Sequence, residues 1–165
     1  MARKADPIIE RRLRACASSD EFWTLLLTIV PQNPRAYLGT LLRQAAPLLR
    51  KGCLQLPDER LRQFCAQGSA IDTAKVIDFL MEHPTAASYY EVFCLLKYNA
   101  DDRPMLYRYC QRLMQEGSDL SYNLASIVGL YFDLQLPATF ALRLQPYQLS
   151  RLEEGYEQFR QIINP

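Results

Sequence analysis

The chain has few of the residues on which enzymes and metal proteins usually rely. It contains one histidine, His83, and none of its five cysteines is arranged as C-x-x-C. A zinc site would need thiolates gathered from separate helices, which is an unusual ligand set. The P-loop and the motifs G-x-S-x-G, G-x-G-x-x-G and H-E-x-x-H are also absent. We therefore expect a protein without enzymatic activity, metal or cofactor.

Long apolar runs are also missing. The longest uncharged apolar run, Phe22 to Val30, is far too short to span a bilayer. The N-terminal residues have no apolar segment before a small-residue cleavage site, so we expect no secretory signal. Cys65, Cys94 and Cys110 each follow an aromatic residue on a helical stripe and resemble small buried hydrophobes. Buried free thiols suit a reducing compartment, so we expect a cytoplasmic protein, in its own cell or in a host cell.

The composition is that of a folded globular protein. The chain has 165 residues, of which 49% are hydrophobic and 22% are charged. This length fits one domain over residues 1–165, with enough buried surface to form a core without disulfides or metal.

Three consecutive helices are predicted in the central stretch, residues 85–134. The first runs roughly from Thr85 to Tyr98, with apolar residues at i, i+3, i+4 and i+7. The second is capped by Asp102 and ends at Gly117. The third, over 120–132, is apolar almost all the way round, which predicts that it is the most buried helix of the chain.

Further helical stripes precede and follow this stretch, and they bring the total to nine or ten short helices. The run from Phe22 to Val30 also suits a buried strand, but no other segment alternates apolar and polar residues to pair with it. We predict one last helix from Gln148 to Ile163, and one or two helical turns over Ala138 to Leu144. The predicted fold class is all-α, as either an irregular orthogonal bundle or a short α-solenoid-like stack of helical repeats.

Charge is distributed unevenly along the chain. Residues 1–66 carry 11 Lys and Arg against 6 Asp and Glu, whereas residues 67–165 carry 8 against 12. The first half is therefore basic and the second half acidic. Such polarity can orient a partner or favour head-to-tail association of two copies.

Several aromatic residues lie off the predicted core stripes of the central helices. Tyrosines with arginines nearby are typical of interface anchors. We therefore predict a partner-binding surface made of Tyr98, Tyr107, Tyr122, Arg103 and Arg108. The alternative is that these tyrosines fill a second core layer, since a multilayer helical protein needs two apolar faces per helix.

The sequence favours a non-enzymatic protein–protein interaction module, such as an adaptor, an assembly chaperone or an effector-type protein. The alternative function is nucleic-acid binding by the basic N-terminal half. Phosphate binding requires cationic side chains on one surface. The candidate side chains form two clusters in the sequence: Arg3, Lys4, Arg11, Arg12 and Arg14, and then Arg43, Arg50, Lys51, Arg60 and Arg62.

Overall fold

The computed structural model describes residues 4–55, 58–67, 70–135 and 146–164. Within these ranges the regular structure is helical and contains no strand, so the all-α prediction is confirmed. The α-helices are α1 (Pro7–Arg14), α2 (Ser19–Thr28), α3 (Pro34–Arg50), α4 (Asp58–Gln67), α5 (Ala70–Leu80), α6 (Ala86–Tyr98), α7 (Arg103–Glu116), α8 (Asp119–Tyr131), α9 (Pro146–Arg151) and α10 (Tyr156–Ile163). Short 3₁₀ turns occupy Val30–Gln32 and Leu152–Glu154.

The chain divides into two compact units, Met1–His83 and Pro84–Pro165. The first unit contains α1 to α5 and the second contains α6 to α10. That the whole chain forms one domain stays a prediction. Helix length varies from 6 residues in α9 to 17 in α3. The described helices therefore do not recur as pairs of equal length.

Polar side chains fix where several helices begin. Asp6 accepts a hydrogen bond from the backbone N–H of Ile8 at the start of α1, and Asp102 caps α7 as predicted. The helices α6 and α8 both begin with a capping box. In α8 the Ser118 hydroxyl accepts from the backbone of Ser121, whose own hydroxyl accepts from the backbone of Ser118. These bonds satisfy N–H groups that have no partner within the helix.

Two predictions about helix extent have different outcomes. The run from Phe22 to Val30 is helical as far as Thr28, as predicted. The prediction of one last helix from Gln148 to Ile163 is wrong, because Gly155 separates α10 from the preceding 3₁₀ turn. Gly155 has a φ of 133°, a conformation that other residues rarely adopt, and it interrupts the helix there. The segment predicted over Ala138 to Leu144 lies outside the described residues.

In the first unit α3 is the central helix, and it packs against α1, α2 and α5. The Phe22 ring of α2 stands edge-on to Trp23, with 5.6 Å between ring centroids, and stacks on Phe79 of α5 at 6.3 Å. The Trp23 indole N–H donates to the carbonyl oxygen of Gln55 at 2.7 Å. The Ser19 hydroxyl also bonds Gln55, and these contacts fasten the segment after α3 to the start of α2.

In the second unit α8 packs against α6, α7, α9 and α10. The prediction that α8 is the most buried helix is nevertheless wrong. Of their 13 residues each, α6 buries eight and α8 buries seven. The difference arises because α6 has a second apolar face, where Tyr90 packs against Tyr156 and Phe159 of α10. Leu130 of α8, by contrast, is exposed.

We predict that α8 is essential to the core of this second unit. Ile127 is completely buried, so Ile127→Ala should lower the free energy of unfolding by about 2–5 kcal/mol. Leu130→Ala, which truncates an exposed side chain on the same helix, is the matched control and should change it by less than about 0.5 kcal/mol. Chemical denaturation measures both values. Equal losses for the two variants would contradict the burial pattern of α8.

Candidate protein-interaction surface

The five residues predicted to bind a partner all lie in the second unit, on α6, α7 and α8. The helices α7 and α8 form an antiparallel pair. At one end Arg103 contacts the residues that follow α8, and midway the Cys110 thiol lies 3.9 Å from the carbonyl oxygen of Ala125. Tyr107 and Arg108 follow Arg103 on α7, whereas Tyr122 belongs to the other end of the pair.

Arg103 and Tyr107 hold the C-terminal end of α8. The Arg103 guanidinium donates to the carbonyl oxygens of Phe132 at 3.4 Å and Asp133 at 3.2 Å. The Tyr107 hydroxyl accepts a hydrogen bond of 2.9 Å from the backbone N–H of Gln135. A cation at this position satisfies carbonyls that have no helical partner and complements the helix dipole. Both side chains therefore have a role within the fold, which sequence periodicity did not indicate.

Arg108 is also engaged with its own chain. Its guanidinium lies 4.9 Å from the centroid of the Tyr109 ring and donates a 3.2 Å hydrogen bond to the Tyr109 hydroxyl. Tyr109 is buried, so the exposed Arg108 covers an edge of the core. An arginine in this position contributes packing as well as charge.

Tyr98 and Tyr122 are the predicted anchors that the fold leaves accessible. Tyr98 is 48% exposed and Tyr122 is 38% exposed. Within the described part of the chain neither phenol hydroxyl makes a hydrogen bond. The buried Tyr89 differs from them, because its hydroxyl donates a hydrogen bond of 2.9 Å to a Glu116 carboxylate oxygen. Burial and this carboxylate raise the pKa of Tyr89, so its hydroxyl stays protonated in the fold.

The structure brings only part of the predicted set together. The Arg103 guanidinium lies 5.9 Å from the Tyr107 ring, and only the four-residue turn 99–102 separates Tyr98 from Arg103. Tyr122 of α8 lies opposite the C-terminal part of α7. Measured along the axis of α7, that part is about 9 Å from Tyr107. The accessible tyrosines thus mark the two ends of the α7–α8 pair rather than one point.

In the described part of the second unit, two further exposed hydrophobic residues were not predicted. Leu130, on the last turn of α8, is 45% exposed, and Tyr147 on α9 is 61% exposed. Leu130 lies in the helix predicted to be apolar almost all the way round, so periodicity gave no signal for its exposure. For Tyr147 a signal existed, because Arg151 follows at i+4 and its guanidinium lies 5.8 Å from the ring centroid.

The basic side chains of the first unit are spread over several surfaces. On α3, Tyr37 and Gln44 hydrogen-bond the chain segment that contains α1, whereas Gly39 and Ala46 line a groove against α5. These two pairs point in opposite directions on the helix. The helices α1 and α5 therefore flank α3 on opposite sides, and α4, with Arg60 and Arg62, packs on α2. Arg3 lies outside the described residues.

The cysteines differ more in exposure than predicted. Cys16 and Cys110 are buried, Cys65 and Cys94 are partly buried, and Cys53 is exposed. The description of Cys65, Cys94 and Cys110 as buried hydrophobes is thus correct only for Cys110. Burial raises the pKa of the Cys110 thiol to about 12. Burial also raises the pKa of the Cys16 thiol. This effect is larger than that of the hydrogen bond to Ser18, which lowers the pKa.

Among the residues that the structure describes, no three His, Cys, Asp or Glu side chains converge in a way that could hold a metal ion. In the same part of the chain, each helix falls short of the length and apolar character required to cross a bilayer. Comparison of the chain with protein-family models, with curated proteins and with solved structures found no match.

We predict a fixed order of reactivity among the thiols. Iodoacetamide should alkylate Cys53 in the native protein, because its thiol is exposed. Cys110 should react only after denaturation, since it is buried and its raised pKa keeps the thiolate fraction low. Mass spectrometry of digested peptides measures each site. Alkylation of Cys110 at the rate of Cys53 in native protein would contradict the packing of α7 on α8.

We also predict that the Tyr107 hydroxyl stabilises the fold. Tyr107→Phe keeps the ring but leaves the Gln135 N–H without its acceptor, so unfolding should become easier by about 1 kcal/mol. Tyr98→Phe is the matched control, because the Tyr98 hydroxyl makes no hydrogen bond in the described structure, and its effect should be negligible. Thermal melts of the two variants provide the comparison. An unchanged melting temperature for Tyr107→Phe would mean that the bond to Gln135 contributes nothing.

Proposed function

We propose that this protein is a non-enzymatic interaction module that binds another protein through its second unit, in a cytoplasmic compartment. The observation that carries the proposal is the exposure of Tyr98 and Tyr122 in a unit where, apart from Tyr147 on α9, the other described aromatic residues are buried or partly buried. Adaptor, assembly chaperone and effector-type roles all rely on such a surface. The partner would bury the two phenol rings together with the exposed side chain of Leu130.

Tyrosine suits this role because its ring provides apolar contact area while its hydroxyl can still find a polar partner. Aromatic residues are enriched in protein interfaces, and a few of them usually supply most of the binding free energy. Both Tyr98 and Tyr122 have exposed side chains, and no residue that the structure describes hydrogen-bonds their hydroxyl groups. Arg103, Tyr107 and Arg108 belong to the same proposal as supporting residues: Arg103 and Tyr107 hold the residues after α8 against α7, and Arg108 covers the buried Tyr109.

Nucleic-acid binding is the less favoured function. A phosphate backbone is tracked by cations that share one surface. In the first unit the exposed arginines of α1 lie on the far side of α3 from the groove against α5. A ratio of absorbance at 260 and 280 nm typical of pure protein, unchanged by high salt during purification, is the expected result for the proposed function.

The proposal predicts that the two anchors can be removed without loss of fold. The double variant Tyr98→Ala and Tyr122→Ala should retain its melting temperature within a few degrees, because both side chains are exposed. Its affinity for the natural partner should fall by about 2 kcal/mol or more, as for a typical hot spot. The partner is identified by affinity capture and mass spectrometry with the wild-type protein, and its affinity is then measured by calorimetry.

Two variants serve as controls for this experiment. Ile8→Ala truncates a hydrophobic residue of the first unit that is even more exposed, at 78%, and should leave both stability and affinity unchanged. Tyr109→Ala removes a buried tyrosine and should lower stability by about 3 kcal/mol or more. A partner that binds the double variant as tightly as wild type would exclude Tyr98 and Tyr122 as anchors.

A further inference from the structure

A groove of about 430 Å³ lies between α3 and the C-terminal part of α5, within the first unit. Its volume falls in the range of ordinary ligand sites. Side chains of both helices and of the turn after α5 line it: Gly39, Leu42, Arg43, Ala46, Arg50, Lys75, Asp78, Phe79 and Glu82. The groove belongs to the first unit, whereas Tyr98 and Tyr122 belong to the second, so the inference does not rest on the proposed function.

The groove has an excess of positive charge. Arg43, Arg50 and Lys75 face two carboxylates, Asp78 and Glu82. Within the described residues neither Arg50 nor Lys75 has a hydrogen-bond or ion-pair partner. Arg43 makes only a long bond of 3.4 Å to the hydroxyl of Thr40. All three cations are exposed to solvent, so they are available to an anionic occupant.

The spacing of the two arginines limits what that occupant can be. Arg43 and Arg50 are seven residues apart on α3, which places them on one face about 10 Å apart along the axis. Two anionic groups at this separation would meet both arginines without either side chain turning toward the other. A helical peptide with acidic residues at i and i+7 has its carboxylates at the same spacing, so it would meet both.

The floor of the groove is apolar and open. Leu42 and Phe79 are nearly completely buried beneath it, and Gly39 and Ala46 are small residues two turns apart. A side chain placed at Gly39 would meet only the tip of Arg43, with its Cβ 3.3 Å from Nη1. The missing side chain at Gly39 thus leaves room for an apolar group of a ligand beside the Arg43 guanidinium, while the small Ala46 does so between the two arginines.

We propose that the groove between α3 and α5 binds an acidic amphipathic helix of a partner protein. Carboxylates two turns apart would pair with Arg43 and Arg50, and apolar side chains between them would cover Leu42, Ala46 and Phe79. Charged rims around a small apolar floor are the arrangement by which grooves commonly recognise amphipathic helices.

The test uses the full chain and a designed probe. The probe is a fluorescein-labelled, capped helical peptide of about 18 residues, with two glutamates two turns apart and leucines in the turns between. Fluorescence anisotropy at low salt should give a Kd of about 10–100 μM, and raising the salt concentration should weaken binding. A second peptide with lysine in place of both glutamates should not bind.

Two variants of the groove separate binding from folding. Gly39→Leu fills the part of the groove beside the Arg43 guanidinium, while leucine favours the helix more than glycine does. Its melting temperature should be unchanged or higher, and its affinity for the probe should fall at least tenfold. Arg43→Glu with Arg50→Glu should weaken binding at least as much. Arg11→Glu with Arg14→Glu, on α1, removes the same charge elsewhere and should reduce affinity less than threefold.

Three outcomes would overturn the proposal. One is the absence of binding at protein concentrations up to about 1 mM. Another is equal weakening by the α1 and α3 charge variants, which would indicate a non-specific charge effect. The third is binding of a single-stranded oligonucleotide, dependent on Arg43 and Arg50, in place of the peptide, which would make the groove a nucleic-acid site.

Discussion

The second unit depends on the packing of one side chain, Phe93. Its ring centroid lies 5.1 Å from that of Tyr131 at the end of α8, and 5.7 Å from that of Phe159 in α10. Phe132, the next residue after α8, lies 6.2 Å away and is edge-on to Tyr131. Three helices therefore meet at a single aromatic ring of α6. Because such rings bury large areas and have preferred mutual angles, this contact fixes both the depth and the direction of the helices around it.

The Phe93 contacts also determine where the C-terminal end of α8 must lie, and this end is the part that Arg103 and Tyr107 then hold by hydrogen bonds. The geometry of the candidate surface follows from that arrangement. Tyr98 is the last residue of α6, five residues after Phe93. Tyr98 is exposed, whereas Phe93 is buried. The ring packing that orients α6 thus leaves Tyr98 at the margin of the unit.

Local sequence signals were sufficient for most of the secondary structure. Asp102 and Gly117 mark the two ends of α7. The Asp102 side chain accepts a hydrogen bond from a backbone N–H of the first turn, and Gly117 adopts the left-handed conformation that often ends a helix. Gly155 carried the same kind of information, but the apolar stripe over 148–163 outweighed it in the prediction. A stripe reports which residues face inward and does not require the backbone between them to be continuous.

The candidate surface was harder to predict, because the decisive contacts join distant parts of the chain. The bond from Gln135 to Tyr107 spans 28 residues, and that from Arg103 to Asp133 spans 30. Periodicity places Tyr107 off the main stripe, but it cannot tell an exposed anchor from a residue that holds a neighbouring helix end. The groove between α3 and α5 was not predicted for the same reason, since it exists only once these two helices pack together.

The two surfaces proposed for partners rely on different physical interactions, and this difference bears on how each would be regulated. The cations of the groove are exposed, and salt screens ion pairs between solvent-exposed charges. Binding there would respond strongly to salt and to phosphorylation of a partner. Binding at Tyr98 and Tyr122 would rest mainly on removing aromatic area from water, which salt affects little. A partner that engages both units would therefore lose one attachment at high ionic strength and keep the other.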